Sequence, residues 1–307
     1  MITIGFDTSN YTTSIAYFDG ISGENCSKLL PVKAGELGLR QSDAVFHHTQ
    51  SLPELSGRLF SHVSHGNIAA IGVSTRPRAV EGSYMPCFTV GYSHAKLLSE
   101  ALHVPLHCVS HQQGHVAAAA WSAGHMELLD QPHLAWHLSG GTTELLLVEP
   151  EGKNVRCTRI GGTSDISAGQ LIDRTGQLLG LQFPAGKHID ELSKQSECKD
   201  LFRVKCKDMA FSLSGVQNKV NQYFEAGHTP ADTAAYAMRC VCHAVLVATQ
   251  QAQVTYPGLP VIFSGGVAAN SMLRKYVAPV APIFAQPQFS TDNAMGVAIL
   301  TYRAQEG

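Results

Sequence analysis

The stretch "SNYTTSIAYFDG", residues 9–20, can be laid on "SGGTTELLLVEP", residues 139–150. Each has a small polar turn, a Thr-Thr pair and an apolar run that reads as a strand. Each also comes after a strand-like run, "ITIGF" in the first case and "HLAWHL" in the second. Two such hairpins in one chain suggest a duplicated α/β lobe, with two unrelated hairpins as the alternative. The elements after each hairpin support duplication. After the first come "CSKLLPV" as a third strand and a helix over "HHTQSLPELSGRLFSHVSH", with Leu52, Leu55, Leu59, Phe60 and Val63 on one side. Then come the strand "IAAIGVS", the helix "CFTVGYSHAKLLSEALH" and the strand "VPLHCVS". After the second come "VRCTRIG" as a third strand, the helix "ISAGQLIDRTGQLLG" and an irregular insertion over roughly residues 182–230. A long helix over "ADTAAYAMRCVCHAVLVATQQAQ", the strands "PVIFSGG" and "PIFAQ" and a last helix over "DNAMGVAILTYRAQ" complete the chain.

Composition fits this plan and excludes others. The chain has 307 residues, 44% hydrophobic and 15% charged, which is globular and large enough for two lobes. Net charge is -2 and no Lys/Arg cluster stands out, so a strong nucleic-acid surface on this chain alone is not expected. A protein partner or a second copy would have to supply one. The start "MITIGFDTSN" does not read as a secretory signal, and no apolar run is long enough for a membrane span. Eight scattered cysteines suit a reducing compartment, so a cytoplasmic location is expected.

Three loops suit a nucleotide. "DTSNYTT" and "SGGTT" are hairpin tips whose backbone N–H groups can converge on phosphate, and the two are expected to face each other across a cleft between lobes. "FSGGVAAN" comes after a buried strand and opens a helix, and Gly265 and Gly266 would let a ligand approach the backbone. Asp165 and Asp173 are two acids on or beside one helix, where a carboxylate can take ribose hydroxyls or serve as a cap. His111 and His115 stand four apart in "VSHQQGHVAAAA", on one face of a helix and close enough to share a metal. With 15 histidines in the chain, the spacing alone does not decide between a metal site and two ordinary histidines. Asp292 in "FSTDNAMG" is a third ligand or a helix N-cap.

Taken together, "DTS" at 7–9, "HQQGH" at 111–115, "SGG" at 139–141, "SDISAGQLIDRTGQLLGL" at 164–181, "FSLSGVQN" at 211–218, "SGGVAAN" at 264–270 and "STDNAMG" at 290–296 resemble the threonylcarbamoyladenosine synthase family. These are tRNA-modification proteins formerly called O-sialoglycoprotein endopeptidases. The resemblance implies an α/β fold of two duplicated RNase H-like lobes, as in the actin-like/sugar-kinase/Hsp70 ATPase superfamily. It implies lobes over residues 1–118 and 119–290, the second with the insertion near 182–230, and a C-terminal helix over 291–307 that returns to the cleft between the lobes. It also implies one divalent metal, zinc or iron, on His111, His115 and Asp292. ATP, ADP or an acyl-adenylate would lie between the lobes, with Ser139, Gly140 and Gly141 on phosphate and Asp173 on ribose. Gly169 and Gly186 would allow close approach, Asn270 would read the adenine side, and Thr8 and Ser9 would lie near the phosphates or metal.

This chain departs from the family pattern at several places. Gln113 stands where the family has a glutamate beside the metal ligands, and Thr142 where it has a histidine after SGG. "STRPRAVEGSYMP" replaces a glycine loop, Asn10, Tyr11 and Thr12 replace acids, and Gln170, Arg174 and Ala185 are further changes. The reading is a divergent paralogue catalysing a carbamoyl-type transfer. The alternative is a non-catalytic nucleotide-binding module that acts through a protein partner. A zinc protease is disfavoured, because H-Q-Q-G-H carries no general base.

Overall fold

The computed structural model describes residues 1–31, 39–63 and 65–306. Val32 of the expected third strand and Ser64 of the expected first helix lie outside the described residues. In chain order the elements are β1 Ile2–Thr8, β2 Thr12–Phe18, β3 Gly23–Leu29, α1 Gln41–Phe60, β4 Ile68–Arg76, α2 Phe88–Leu102, β5 Leu106–Ser110 and α3 His111–Ser122. They continue with β6 His133–Leu138, β7 Thr143–Glu151, β8 Asn154–Thr163, α4 Ala168–Leu178, α5 Gly186–Ser193, β9 Cys206–Lys207 and β10 Ala210–Phe211. The last are α6 Ser214–Glu225, α7 Pro230–Thr255, β11 Val261–Ser264, α8 Ser271–Tyr276, β12 Pro282–Phe284 and α9 Met295–Gln305.

Among the described residues, one sheet has the order β3-β2-β1-β4-β5. β1 pairs antiparallel with β2, and β2 with β3, while β4 and β5 run parallel to β1. The other sheet repeats the plan as β8-β7-β6-β11-β12, with β7 antiparallel to β6 and with β11 and β12 parallel to it. The duplication therefore extends from the two hairpins to two whole sheets. β10 and β9 extend the second sheet beyond β8.

The chain divides into two compact units. The first holds Met1–Gln131, Glu149–Cys157 and Asp292–Gly307, the second Pro132–Val148 and Thr158–Thr291. A boundary at residue 118 would cut α3, which belongs whole to the first unit. The C-terminal segment also belongs to the first unit, and glycines explain why. Gly5 and Gly72 are partners in the parallel β1–β4 register. A Cβ on Gly5 would run into the Ala298 backbone, and one on Gly72 into the Thr301 side chain. Two bare positions side by side thus make the sheet floor on which α9 lies. The opposite face of this sheet buries Ile4, Phe6, Ile71 and Val73 with Leu52, Leu55 and Leu59 of α1.

The second unit closes around Trp136, Leu138, Leu145, Val241, Val245 and Phe263. Trp136 is fully buried, and its indole N–H donates to Thr249 Oγ1 at 2.9 Å, which removes the cost of an unpaired buried donor. The segment 182–230 is not wholly irregular. It holds α5, the β9–β10 pair and α6, because Ile189, Phe211, Val216 and Val220 all find places in that core.

Candidate metal centre

Helix α3 starts directly after β5. Ser110 caps it: its Oγ accepts the Gln113 N–H at 3.2 Å, and Gln113 Oε1 accepts the Ser110 N–H at 2.8 Å. This reciprocal pair is a capping box, and it fixes the first turn that carries His111. Gln113 Nε2 donates to the Val155 carbonyl at 2.7 Å. The Gln113 side chain is therefore fully engaged between the helix start and Val155. Gln170 does the same work at the start of α4, paired with Ser167. A glutamine serves the box as well as a glutamate, so these two departures from the family pattern are structural replacements.

Asp292 is not a helix cap. α9 begins at Met295, its N-cap position is Ala294, and the first helical N–H, that of Met295, goes to Asn293 Oδ1 at 3.1 Å. The carboxylate instead turns to α3. Gly114, between the two histidines, and Gly296, four residues after Asp292, explain the approach. A Cβ on Gly296 would enter the Gly114 carbonyl, so the two backbones touch where only glycine fits. That contact brings Asp292 beside His111 and His115.

One ligand atom from each of the three residues lies within 4.8 Å of the others. His111 Nε2 and His115 Nε2 are 2.9 Å apart, and Asp292 Oδ1 is 3.2 Å from His115 Nε2 and 3.5 Å from His111 Nε2. An ion about 2.1 Å from each would see angles of roughly 85–115°, within the range of tetrahedral or octahedral coordination. Behind this set, His111 Nδ1–H donates to Asp7 Oδ2 at 2.8 Å. That bond leaves Nε2 to face the other ligands, the arrangement that orients metal-bound histidines. The Ser74 hydroxyl holds Asp7 Oδ1, and the Ser9 hydroxyl donates to Asp292 Oδ2 at 3.2 Å. The donor set fits a borderline divalent cation.

The electrostatics agree with that fit. Burial opposes a charge on His111, but the Asp7 and Asp292 carboxylates outweigh it and push the imidazole up to about 10. His115 is pushed down, first by burial and then by the charge on His111. Burial works to raise Asp292, yet hydrogen bonds to His111 and His115 hold it well below the ordinary carboxylate value. The arrangement thus holds a positive charge between two carboxylates.

The other expected site residues divide into those committed to the fold and those with open space around them. Thr8 is fully buried; its hydroxyl donates to the Cys87 carbonyl at 3.0 Å and accepts the Gly91 N–H at 3.1 Å, tying β1 to α2. Gly169 admits no Cβ, which would come within 2.5 Å of the Ser139 carbonyl oxygen, so it seats α4 on the 139–141 loop. Gly265 has φ +93° and lies against Leu138. Asn270 caps α8, its Oδ1 accepting from Met272 N–H and Leu273 N–H, which leaves its Nδ2 for other work. Gly140, Gly141, Gly186 and Gly266 have nothing within 4 Å of a built Cβ. Ser139 Oγ accepts the Thr142 N–H at 3.1 Å and shapes the loop. Asp173 accepts the Ala185 N–H through Oδ1 at 2.8 Å; burial raises its pKa against that bond. Asp165 is no ligand: it accepts from Leu213 N–H and from both Ser214 N–H and Oγ–H, and so caps α6.

Asp7 is the residue beside the three candidate ligands that spacing did not find. Its signals in the sequence are its place at the end of the first strand of an α/β lobe and in the "DTS" motif at 7–9.

The family model described as TsaD, tRNA N6-adenosine threonylcarbamoyltransferase, matches residues 36–299. A protein of that name from Thermosipho africanus is 31% identical, over 99% of this chain and 94% of its own length. One from Archaeoglobus fulgidus is 28% identical, over 90% of this chain and 80% of its own. Among solved structures, full-length HypF in its phosphate- and nucleotide-bound form superposes with TM-score 0.63 at 13% identity, covering all of this chain and 47% of HypF. The ROK hexokinase of Thermus thermophilus superposes with TM-score 0.53 at 14% identity, and all of both chains is covered. At such identities the likeness speaks for the fold, two lobes of the actin-like/sugar-kinase/Hsp70 ATPase kind. No described helix is long and apolar enough to cross a membrane. With 264 of 307 residues matched by its model, the chain belongs to the TsaD family of tRNA N6-adenosine threonylcarbamoyltransferases.

Proposed function

We propose that this chain is a divergent TsaD-family transferase that binds one divalent metal, zinc or iron, and an adenine nucleotide or acyl-adenylate. The observation that carries the reading is the convergence of His111, His115 and Asp292 with Asp7 behind them. When bound, the metal supplies a Lewis acid for a carbonyl or phosphoryl oxygen. Asp7 and Ser9 orient the ligands around it. In the second unit, Gly140, Gly141 and Gly266 leave room for phosphate against the backbone. Asp173 keeps one carboxylate oxygen for ribose, Gly186 leaves open space, and Asn270 Nδ2 donates towards a base.

The divergence rests on Thr142 and on the stretch 74–86, since Gln113 and Gln170 are accounted for by their capping boxes. Thr142 offers no imidazole beside the phosphate loop. The stretch 74–86, from the end of β4 onward, carries Arg76, Arg78 and Glu81 where a glycine loop would be smooth. Losing one well-placed polar group costs about 3 kcal/mol in a transition state. We therefore read the acceptor as different from that of the standard synthase, with a protein partner or second copy assisting in the cytoplasm. The test is complementation of a strain depleted of its own synthase, read as threonylcarbamoyladenosine in tRNA by mass spectrometry. No restoration by this chain is expected, even with the strain's other tRNA-modification proteins present. Normal levels would return the chain to the plain family activity.

A further inference from the structure

Ser9 reaches the metal ligands from the turn between β1 and β2. Its hydroxyl donates to Asp292 Oδ2 at 3.2 Å, the long end of a hydrogen bond, so a small shift of the turn would break it. The neighbouring ladders do not fix the whole turn. The β1–β2 register ends at the pair Thr8 and Thr13. From the β3 side, Thr12 pairs with Leu29, and the Tyr11 carbonyl accepts the Leu30 N–H at 2.8 Å. Ser9 and Asn10 lie beyond both ladders.

Helix α1 meets the turn there. Its buried stripe is apolar at Ala44, Leu52, Leu55 and Leu59, with His48 in the middle. Gln41, seven residues before His48, falls on the same face. Both polar side chains go to the turn. Gln41 Nε2 donates to Asn10 Oδ1, while its Oε1 accepts the Cys87 N–H at 3.3 Å. His48 is fully buried; its Nδ1 lies 2.8 Å from Thr13 Oγ1, and the ring faces the Ser9 carbonyl. Burial pushes the imidazole down to about 4, so at neutral pH the ring is uncharged, with one nitrogen accepting and the other donating. Nε2 is buried without a closed hydrogen bond, so its approach to Ser9 is a loose one. A leucine would fill the stripe without that cost, and packing alone does not account for an imidazole here.

We propose that His48 is a positioning residue for the metal site: Thr13 donates to its Nδ1, its Nε2–H is directed to the Ser9 carbonyl, and the turn so held keeps the Ser9 hydroxyl on Asp292. The inference rests on the metal reading above. Ser9 takes Oδ2 of the carboxylate and so leaves Oδ1 to face His111 and His115. His48 thus acts on the orientation of a ligand that it does not touch.

The experiment is competition for zinc against a chromophoric chelator by the full chain, as wild type, Ser9→Ala, His48→Leu and the double variant, with thermal melting as a control for folding. Ser9→Ala should weaken zinc binding about fivefold, the worth of one neutral hydrogen bond. His48→Leu should weaken it by about the same factor, and the double variant by no more than either single one, because both changes remove one interaction. His48→Gln, whose amide N–H still reaches towards Ser9, should restore most of the affinity. Thr13→Val removes the hydroxyl that fixes the ring and should weaken zinc by more than about twofold, which keeps the test open if His48→Leu does not fold. Zinc binding by Ser9→Ala or by folded His48→Leu within about twofold of wild type would overturn the inference. So would losses that multiply in the double variant to about twenty-five-fold, the mark of a general packing effect. A wild type that holds no zinc would remove the metal reading itself, and this inference with it.

Discussion

Replacing Asp7 by Asn tests the layer behind the metal ligands. The carboxylate is fully buried, takes the His111 Nδ1–H at 2.8 Å on one oxygen and the Ser74 hydroxyl on the other. Asn has the same shape. Its carbonyl oxygen can still accept from His111, and its NH2 can donate to Ser74 Oγ. What changes is charge. A hydrogen bond to a charged group contributes about 1.5–3 kcal/mol, a neutral one about 0.5–1.5 kcal/mol, so the loss is about 1–1.5 kcal/mol. The His111 imidazole also becomes a poorer ligand when no anion stands behind it. Together these predict metal affinity roughly tenfold weaker, at the lower end of what outer partners of metal-bound histidines contribute. Competition for zinc against a chromophoric chelator reads this directly, with thermal melting as a control for folding. An Asp7→Asn protein that holds zinc within about twofold of wild type would refute the idea that Asp7 acts through His111.

The packing and burial of particular residues predict three further outcomes. Gly296→Ala should destabilise the chain by about 1–3 kcal/mol and reduce metal binding, because the new methyl enters the Gly114 carbonyl and moves α9 away from α3; a melting curve and a metal titration check both. Gly169→Ala should leave metal binding unchanged but destabilise the second unit by a similar amount, because it pushes the 139–141 loop away from α4; the same two measurements separate it from Gly296→Ala. Stability of the metal-free chain should fall as pH drops from about 6.5 towards 4. His48 is buried against Thr13, and burial pushes its pKa down to about 4. The unfolded chain takes that proton first, so His48 adds up to about 1.4 kcal/mol per pH unit of slope in that window, and urea melts of His48→Gln should show a slope smaller by that share.

Much of the fold was legible because hydrophobic alternation and helical spacing are local signals. The two Thr-Thr hairpins pointed to duplication, and the leucines of α1 marked their buried side, though Phe60 is only partly covered. The domain boundary was not legible, since the packing of α9 on Gly5 and Gly72 links residues far apart in sequence. In the site, the i, i+4 histidines and the T-D-N segment named the three converging residues. Asp7 stands in the "DTS" motif, but only the fold brings its carboxylate to His111, more than a hundred residues away in sequence. Thr8 reads as a ligand group in the sequence, yet its hydroxyl is engaged by Cys87 and Gly91, which only the folded chain brings near, and of the two readings open for Asp165 the structure bears out the cap. The capping boxes at Ser110–Gln113 and Ser167–Gln170 were visible as Ser-x-x-Gln before helical runs. As caps, they remove Gln113 and Gln170 from the set of lost chemical groups.

The central claim is that His111, His115 and Asp292 hold one metal ion. Its most direct test is metal content by mass spectrometry after purification without chelators, for wild type and His115→Ala. His115 is buried at the centre of the set, and its Nε2 lies within 3.2 Å of both other ligand atoms. Close to one zinc or iron per wild-type chain is expected, with little or none in the variant. Equal metal in the two proteins would contradict the claim.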